Sequence, residues 1–148
     1  MKLINKLLGL LVGVYALFSA WGFTTIAMLR EGRMPPVLPE NMGSFMPVLM
    51  TLPQWHFLLW PTAVVLYFVA AWRLLTGRRG ALIYTLALAI DLTFLVLLKR
   101  AGAVHAEPGA IDLDYVTAAI TITLAVVLWL MERPLRSGRT KTTAQPAS

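Results

Sequence analysis

Four apolar blocks, about residues 7–29, 55–75, 81–98 and 115–131, alternate with polar segments that carry most of the glycine, proline and charge. Each block holds roughly 17 to 23 residues, close to the ~20 an α-helix needs to cross ~30 Å of hydrocarbon. The ~10-residue alternating segments of a membrane β-barrel have no counterpart here. A spanning segment must satisfy its own backbone polar groups, and a helix does so. The pattern therefore predicts an all-α integral membrane protein, a bundle of four transmembrane helices forming one domain over residues 1–131. The outer loop 30–54 joins the first two helices. The remainder, 132–148, is basic and is expected to be a disordered cytoplasmic tail.

Composition agrees with the pattern. Hydrophobic residues make up 58% of the 148 and charged residues 14%, and the mean hydropathy is +0.71. So few charges could not cover a water-soluble domain of this size. The chain has no cysteine, which excludes disulfides, thiolate metal sites and thiol catalysis.

The net charge of +6 says less than where the charges fall. With the N-terminus inside, nine basic residues lie on cytoplasmic segments: Lys2, Lys6, Arg73, Arg78, Arg79, Arg133, Arg136, Arg139 and Lys141. The outside holds four, Arg30, Arg33, Lys99 and Arg100. This asymmetry predicts both termini in the cytoplasm and a bacterial cytoplasmic (inner) membrane location. Aromatic residues give the same threading, with Trp55, Trp60 and Tyr115 expected near the outer boundary and Trp72, Tyr84 and Trp129 near the inner one. The opening "MKLINKLLGLLVGVYALFSAWGF" has a basic start and an apolar run, as a signal peptide does. Its run continues to Leu29, and cleavage after Ala20 would leave bulky Phe18 at the −3 position, so it reads as a retained helix.

Among the loops, "TGRRG" (76–80) is a tight turn that predicts an antiparallel hairpin of the second and third helices. Asp112 or Asp114 is positioned to cap the fourth.

One carboxylate, Asp91, interrupts "ALAIDLTFLVLLKR" (87–100). An Asp at mid-membrane costs ~2.5–3.5 kcal/mol, whereas each Leu, Ile, Phe or Val contributes ~0.3–0.6 in the favourable direction. The eleven such residues of this helix carry the insertion. Such an acid faces a bundle interior or a wet cavity. At 1.5 Å per residue it lies ~11 Å below the outer end of its helix. At that depth the other helices present Thr62, Thr121, Thr123 and the stretch Ser19 to Gly22, while Tyr84 shares its face at helical spacing. The site so defined is an interhelical clasp or a docking point. The sharper alternative is a proton or cation site in a transporter.

Other features point less far. Gly9 and Gly13, continued by Ala16 and Ala20, form a small-residue stripe suited to close helix approach, within the chain or with a partner. Met42, Met46 and Met50 recur every four residues on the side of His56 and His105, a donor set with the softness for Cu(I). Pro47 and the mixed Phe, Val and Leu around them favour the plainer reading, methionines that pack on an interfacial amphipathic stretch. The two histidines, one near the outer end of the second helix and one in the loop after the third, face each other across a haem only if that loop folds back. No Walker loop, dinucleotide fingerprint, HExxH or nucleophile elbow occurs.

The sequence predicts a non-enzymatic membrane protein without a cofactor, an accessory or scaffold subunit that packs against a larger membrane complex. Its partners would be membrane lipids and other integral membrane proteins, with no nucleic acid. A homo-oligomer is compatible with the pattern. The alternatives are a small oligomeric transporter or channel working through Asp91, and periplasm-facing copper or other metal handling.

Overall fold

Helices form over all four apolar blocks and run past them into the polar flanks. The computed structural model describes residues 2–33, 45–103 and 113–137. In it α1 spans Lys2–Arg30, α2 Phe45–Thr51, α3 Gln54–Leu75, α4 Ala81–Arg100 and α5 Leu113–Ser137. No strand occurs among the described residues. α1, α3, α4 and α5 are each long and apolar enough to cross a membrane, so the chain is a multi-pass membrane protein.

The helical fourth block does not end at Met131. Residues 132–137 belong to α5 rather than to the tail, because hydropathy marks the hydrocarbon-spanning part of a helix and not its hydrogen-bonded length. Glu132 gives these last turns something to hold. Its Oε1 accepts from the backbone N–H groups of Gly80 and Ala81, at 2.7 and 2.8 Å. Those amides are orphan donors at the start of α4, which has no side-chain cap of its own. A carboxylate on α5 thus caps α4 across the bundle.

The expected hairpin is present. α3 closes with Gly77 at φ 72°, Gly77 N–H donating to Leu74 O and Arg78 N–H to Arg73 O. This is a Schellman ending, and only glycine adopts that φ without strain. Gly32 and Gly102 end α1 and α4 in the same way.

The extensive helix pairs are α1 with α3, α3 with α4, and α4 with α5. Packing therefore follows chain order, and α1 and α4 meet mainly through α3. The core has two parts. The larger lies toward the end shared by the start of α1, the α3–α4 turn and the end of α5. It includes Val12, Ala16, Ala63, Tyr67, Ala70, Leu74, Tyr84, Ala87 and Leu128. The smaller lies toward the opposite, loop end and gathers Ile26, Leu49, Leu52, Phe57, Phe94, Leu98 and Ala103. Leu49 brings α2 into this second cluster, so the short helix packs onto the bundle.

Arg30 holds α2 there. Its guanidinium donates to Leu52 O at 3.1 Å and Leu49 O at 3.5 Å, and lies 4.5 Å over the Phe57 ring. Across the other loop Lys99 pairs with Asp114 at 2.7 Å. The cation ends α4 and the anion begins α5, each at the favourable pole of its helix.

The aromatic residues divide into two groups. Trp55, Trp72 and Tyr115 expose their rings, as boundary residues do. Trp60, Tyr84 and Trp129 instead turn inward to hydrogen-bonding partners. Trp60 Nε1 donates to Ser19 Oγ at 2.9 Å, and Trp129 Nε1 to Thr85 Oγ1 at 2.8 Å. An indole or phenol that meets a polar atom inside the bundle has no need of the wet boundary.

Candidate functional site

Asp91 stands near the midpoint of α4, ten residues after Ala81, hence about 15 Å along the axis. It falls within the stripe Tyr84, Ala87, Leu88, Phe94 and Leu98 that α4 buries against its neighbours. Two phenols from two other helices meet it. Tyr15 on α1 donates its hydroxyl to Asp91 Oδ2 at 2.9 Å, and Tyr67 on α3 donates to the same oxygen at 3.1 Å. One atom thus ties α1, α3 and α4 together at mid-membrane, where unsatisfied polar groups are most costly.

The rings around that oxygen are packed against one another. Tyr15 and Tyr67 meet edge to face with centroids 5.1 Å apart, and Tyr67 and Tyr84 lie 5.4 Å apart. Tyr84 does not bond Asp91. Its hydroxyl donates to Thr121 O on α5 at 3.1 Å, which extends the polar tie to the fourth long helix. Tyr67 and Tyr84 are buried, at 0% and 1% exposure, whereas Tyr15 and Asp91 are only partly so.

Of the threonines expected at the Asp91 level, none reaches the carboxylate. Thr62 and Thr123 face outward and donate to the carbonyls of Leu58 and Ala119 on their own helices. Thr62 borders a shallow apolar groove with Leu58, Pro61, Val65 and Leu66. Thr121 is buried, but its hydroxyl bonds the carbonyls of Thr117 and Ala118, and it is its backbone oxygen that receives Tyr84. A helical threonine has a carbonyl four residues back within reach and takes it. Ser19 accepts from Trp60.

Tyr15 and Tyr67 are the residues that depth matching missed. A signal for them exists in the sequence: both lie mid-block, far from either boundary, where a phenol needs a polar partner.

The small-residue stripe faces α3 within the chain. A side chain at Gly9 would meet Leu75 N at 2.9 Å and Leu74 Cβ at 3.0 Å, and one at Gly13 would meet Ala71 Cβ at 3.7 Å. Ala16 is fully buried and Ala20 partly so. The same antiparallel contact continues at Gly22, where Trp60 passes closely.

Of the methionine and histidine set, Met42 and His105 lie outside the described residues, and Met46 belongs to α2. Met50, also on α2, is 41% exposed. His56 stands against Trp55 near the start of α3, with Nδ1 buried and without a hydrogen-bond partner. No cluster of three or more His, Asp or Glu side chains occurs among the described residues.

Family models, characterised proteins and solved structures were all compared with the chain, and none matches.

Proposed function

We propose that this chain is a non-enzymatic accessory or scaffold subunit of a larger membrane complex, with both termini on the cytoplasmic side of a bacterial inner membrane. The observation that carries the reading is the tie at Asp91 Oδ2, where phenols from α1 and α3 converge. The polar chemistry of the bundle is directed at holding helices together: Asp91 to two tyrosines, Trp60 to Ser19, Tyr84 to Thr121, Trp129 to Thr85 and Glu132 to the start of α4. The orientation rests on the nine-to-four distribution of basic residues.

Purification from native membranes in mild detergent, with mass spectrometry of everything retained, tests this reading. A stoichiometric set of co-purifying membrane proteins is the expected result. Emergence of the chain alone, or only as a homo-oligomer, overturns it.

The part-exposed position of Asp91 favours a second reading, a small oligomeric transporter that binds a proton or cation at that carboxylate. In that case Asp91→Asn abolishes flux in reconstituted vesicles while insertion is unchanged. Equal flux in the two proteins removes it.

A further inference from the structure

Three segments converge at the end of the bundle away from α2. The close approach of Gly9 to Leu74 and Leu75 sets the start of α1 beside the end of α3. The bonds from the Gly80 and Ala81 amides to Glu132 set the end of α5 against the α3–α4 turn. Within that turn Arg73 Nε donates to Arg79 O at 2.7 Å, which fixes its shape. Residues 2–9, 72–82 and 129–137 make up this end, and they hold seven basic residues and one acid, Glu132. Lys6, Arg78, Arg79 and Arg133 are exposed, and Arg73 is partly buried. The opposite end differs in kind. There Arg33 lies 3.6 Å from Glu31 and Lys99 2.7 Å from Asp114, while Arg30 binds the carbonyls of Leu49 and Leu52.

An apolar path leads into the bilayer from the charged end. Trp72, beside Arg73, is 68% exposed, and an indole so placed marks the headgroup level. Its face of α3 continues at helical spacing through Val69, Phe68 and Val65 to Leu58, all exposed. The shallow groove lined by Leu58, Pro61, Val65 and Leu66 lies on that face. Val65 is about 10 Å and Pro61 about 16 Å from Trp72 along the helix. The groove therefore reaches the middle of the ~30 Å hydrocarbon layer.

We propose that this end of the bundle binds an anionic phospholipid, with its phosphate among Arg73, Arg78, Arg79 and Arg133 and an acyl chain along α3 into the groove at Pro61. The inference goes beyond the subunit reading and holds equally for a transporter. Charge complementarity names the headgroup. Seven basic residues against one acid draw a phosphate that has no ammonium of its own in preference to a zwitterionic one. The planar guanidinium fork matches phosphate oxygens in pairs. The groove names the rest of the ligand, because an apolar channel beneath the arginines suits a chain attached to the phosphate and does nothing for a free anion.

The full-length protein in detergent is titrated with dioleoyl phosphatidylglycerol or dioleoyl phosphatidylcholine, and bound lipid is read by native mass spectrometry. The protein is expected to saturate with phosphatidylglycerol and to bind phosphatidylcholine more weakly. Each basic residue near an anionic headgroup contributes about fivefold, so Arg78→Gln with Arg133→Gln should weaken phosphatidylglycerol binding about 25-fold and leave phosphatidylcholine unchanged. Arg33→Gln with Arg100→Gln removes the same charge at the other end and should change neither. All four positions are exposed, so the substitutions leave the core intact. Equal binding of the two lipids overturns the inference. Equal weakening by the two pairs also overturns it, because that is diffuse attraction and not a site. Displacement of the lipid by excess glycerol 3-phosphate does the same, since the arginines then hold a free anion without a chain.

Discussion

At the scale of single residues, the carboxylate of Asp91 holds two phenols through one oxygen, so its contribution is read by removing the donors as well as the acceptor. Phenylalanine at position 15 or 67 keeps the ring packing of the pair and deletes one hydrogen bond. Each replacement is expected to cost about 0.6 kcal/mol and no more than about 1.7, the average and the maximum for interhelical hydrogen bonds in a membrane protein. The two should not be independent of Asp91. In the Asp91→Asn background the cost of Tyr15→Phe should fall, and a double-mutant cycle of unfolding in mixed detergent micelles measures the coupling. Strict additivity would mean that the bond contributes nothing. Matching Cα levels along the helices places Asp91 beside threonines and misses these phenols, and the reason is geometric. Long helical side chains lean toward the N-terminus of their helix. The hydroxyl of a tyrosine lies several bonds beyond its Cα, so Tyr15 and Tyr67 reach Asp91 although matching Cα levels does not pair them. Threonine is short and already satisfied by its own helix.

Between elements, approach distance separates the glycines of the stripe. Ala at Gly9 puts a methyl 2.9 Å from the backbone nitrogen of Leu75, and backbone does not yield as a flexible side-chain end does. The helices must shift, at a cost typical of overpacking, about 1–3 kcal/mol. Ala at Gly13 meets Ala71 at an ordinary 3.7 Å and should be neutral or mildly stabilising. Thermal unfolding of the two variants in the same detergent checks the contrast, and equal midpoints would show that α1 and α3 do not close to this distance. The alternation of small residues was legible in the sequence, whereas the face it meets was not. Every side of these helices is apolar, so local pattern gives no rotation. α2 has a related origin. Its apolar residues read as an interfacial stretch, yet Leu49 is buried and Arg30 binds the carbonyls at its C-terminal end. That contact joins residues 19 to 22 positions apart in the chain, beyond the range of any helical periodicity.

For the molecule as a whole, orientation is open to a direct measurement, because the chain has no cysteine to remove first. Arg33 and Arg78 are exposed at opposite ends of the bundle. In intact cells Arg33→Cys should react with a membrane-impermeant maleimide, and Arg78→Cys should react only after permeabilisation. The reverse pattern would invert the proposed topology. The number of spanning helices and the length of their hydrocarbon-crossing parts follow from hydropathy alone, since hydrocarbon has a set thickness and a backbone inside it must bond to itself. The same physics required Asp91 to face protein or a polar partner rather than lipid. Which atoms answer it, which face of α1 lies on α3, and that Glu132 caps α4 from α5 follow from the relative rotation, tilt and direction of packed helices. Those quantities emerge from contacts between residues 24, 52 and 76 positions apart, and a uniformly apolar sequence does not encode them locally.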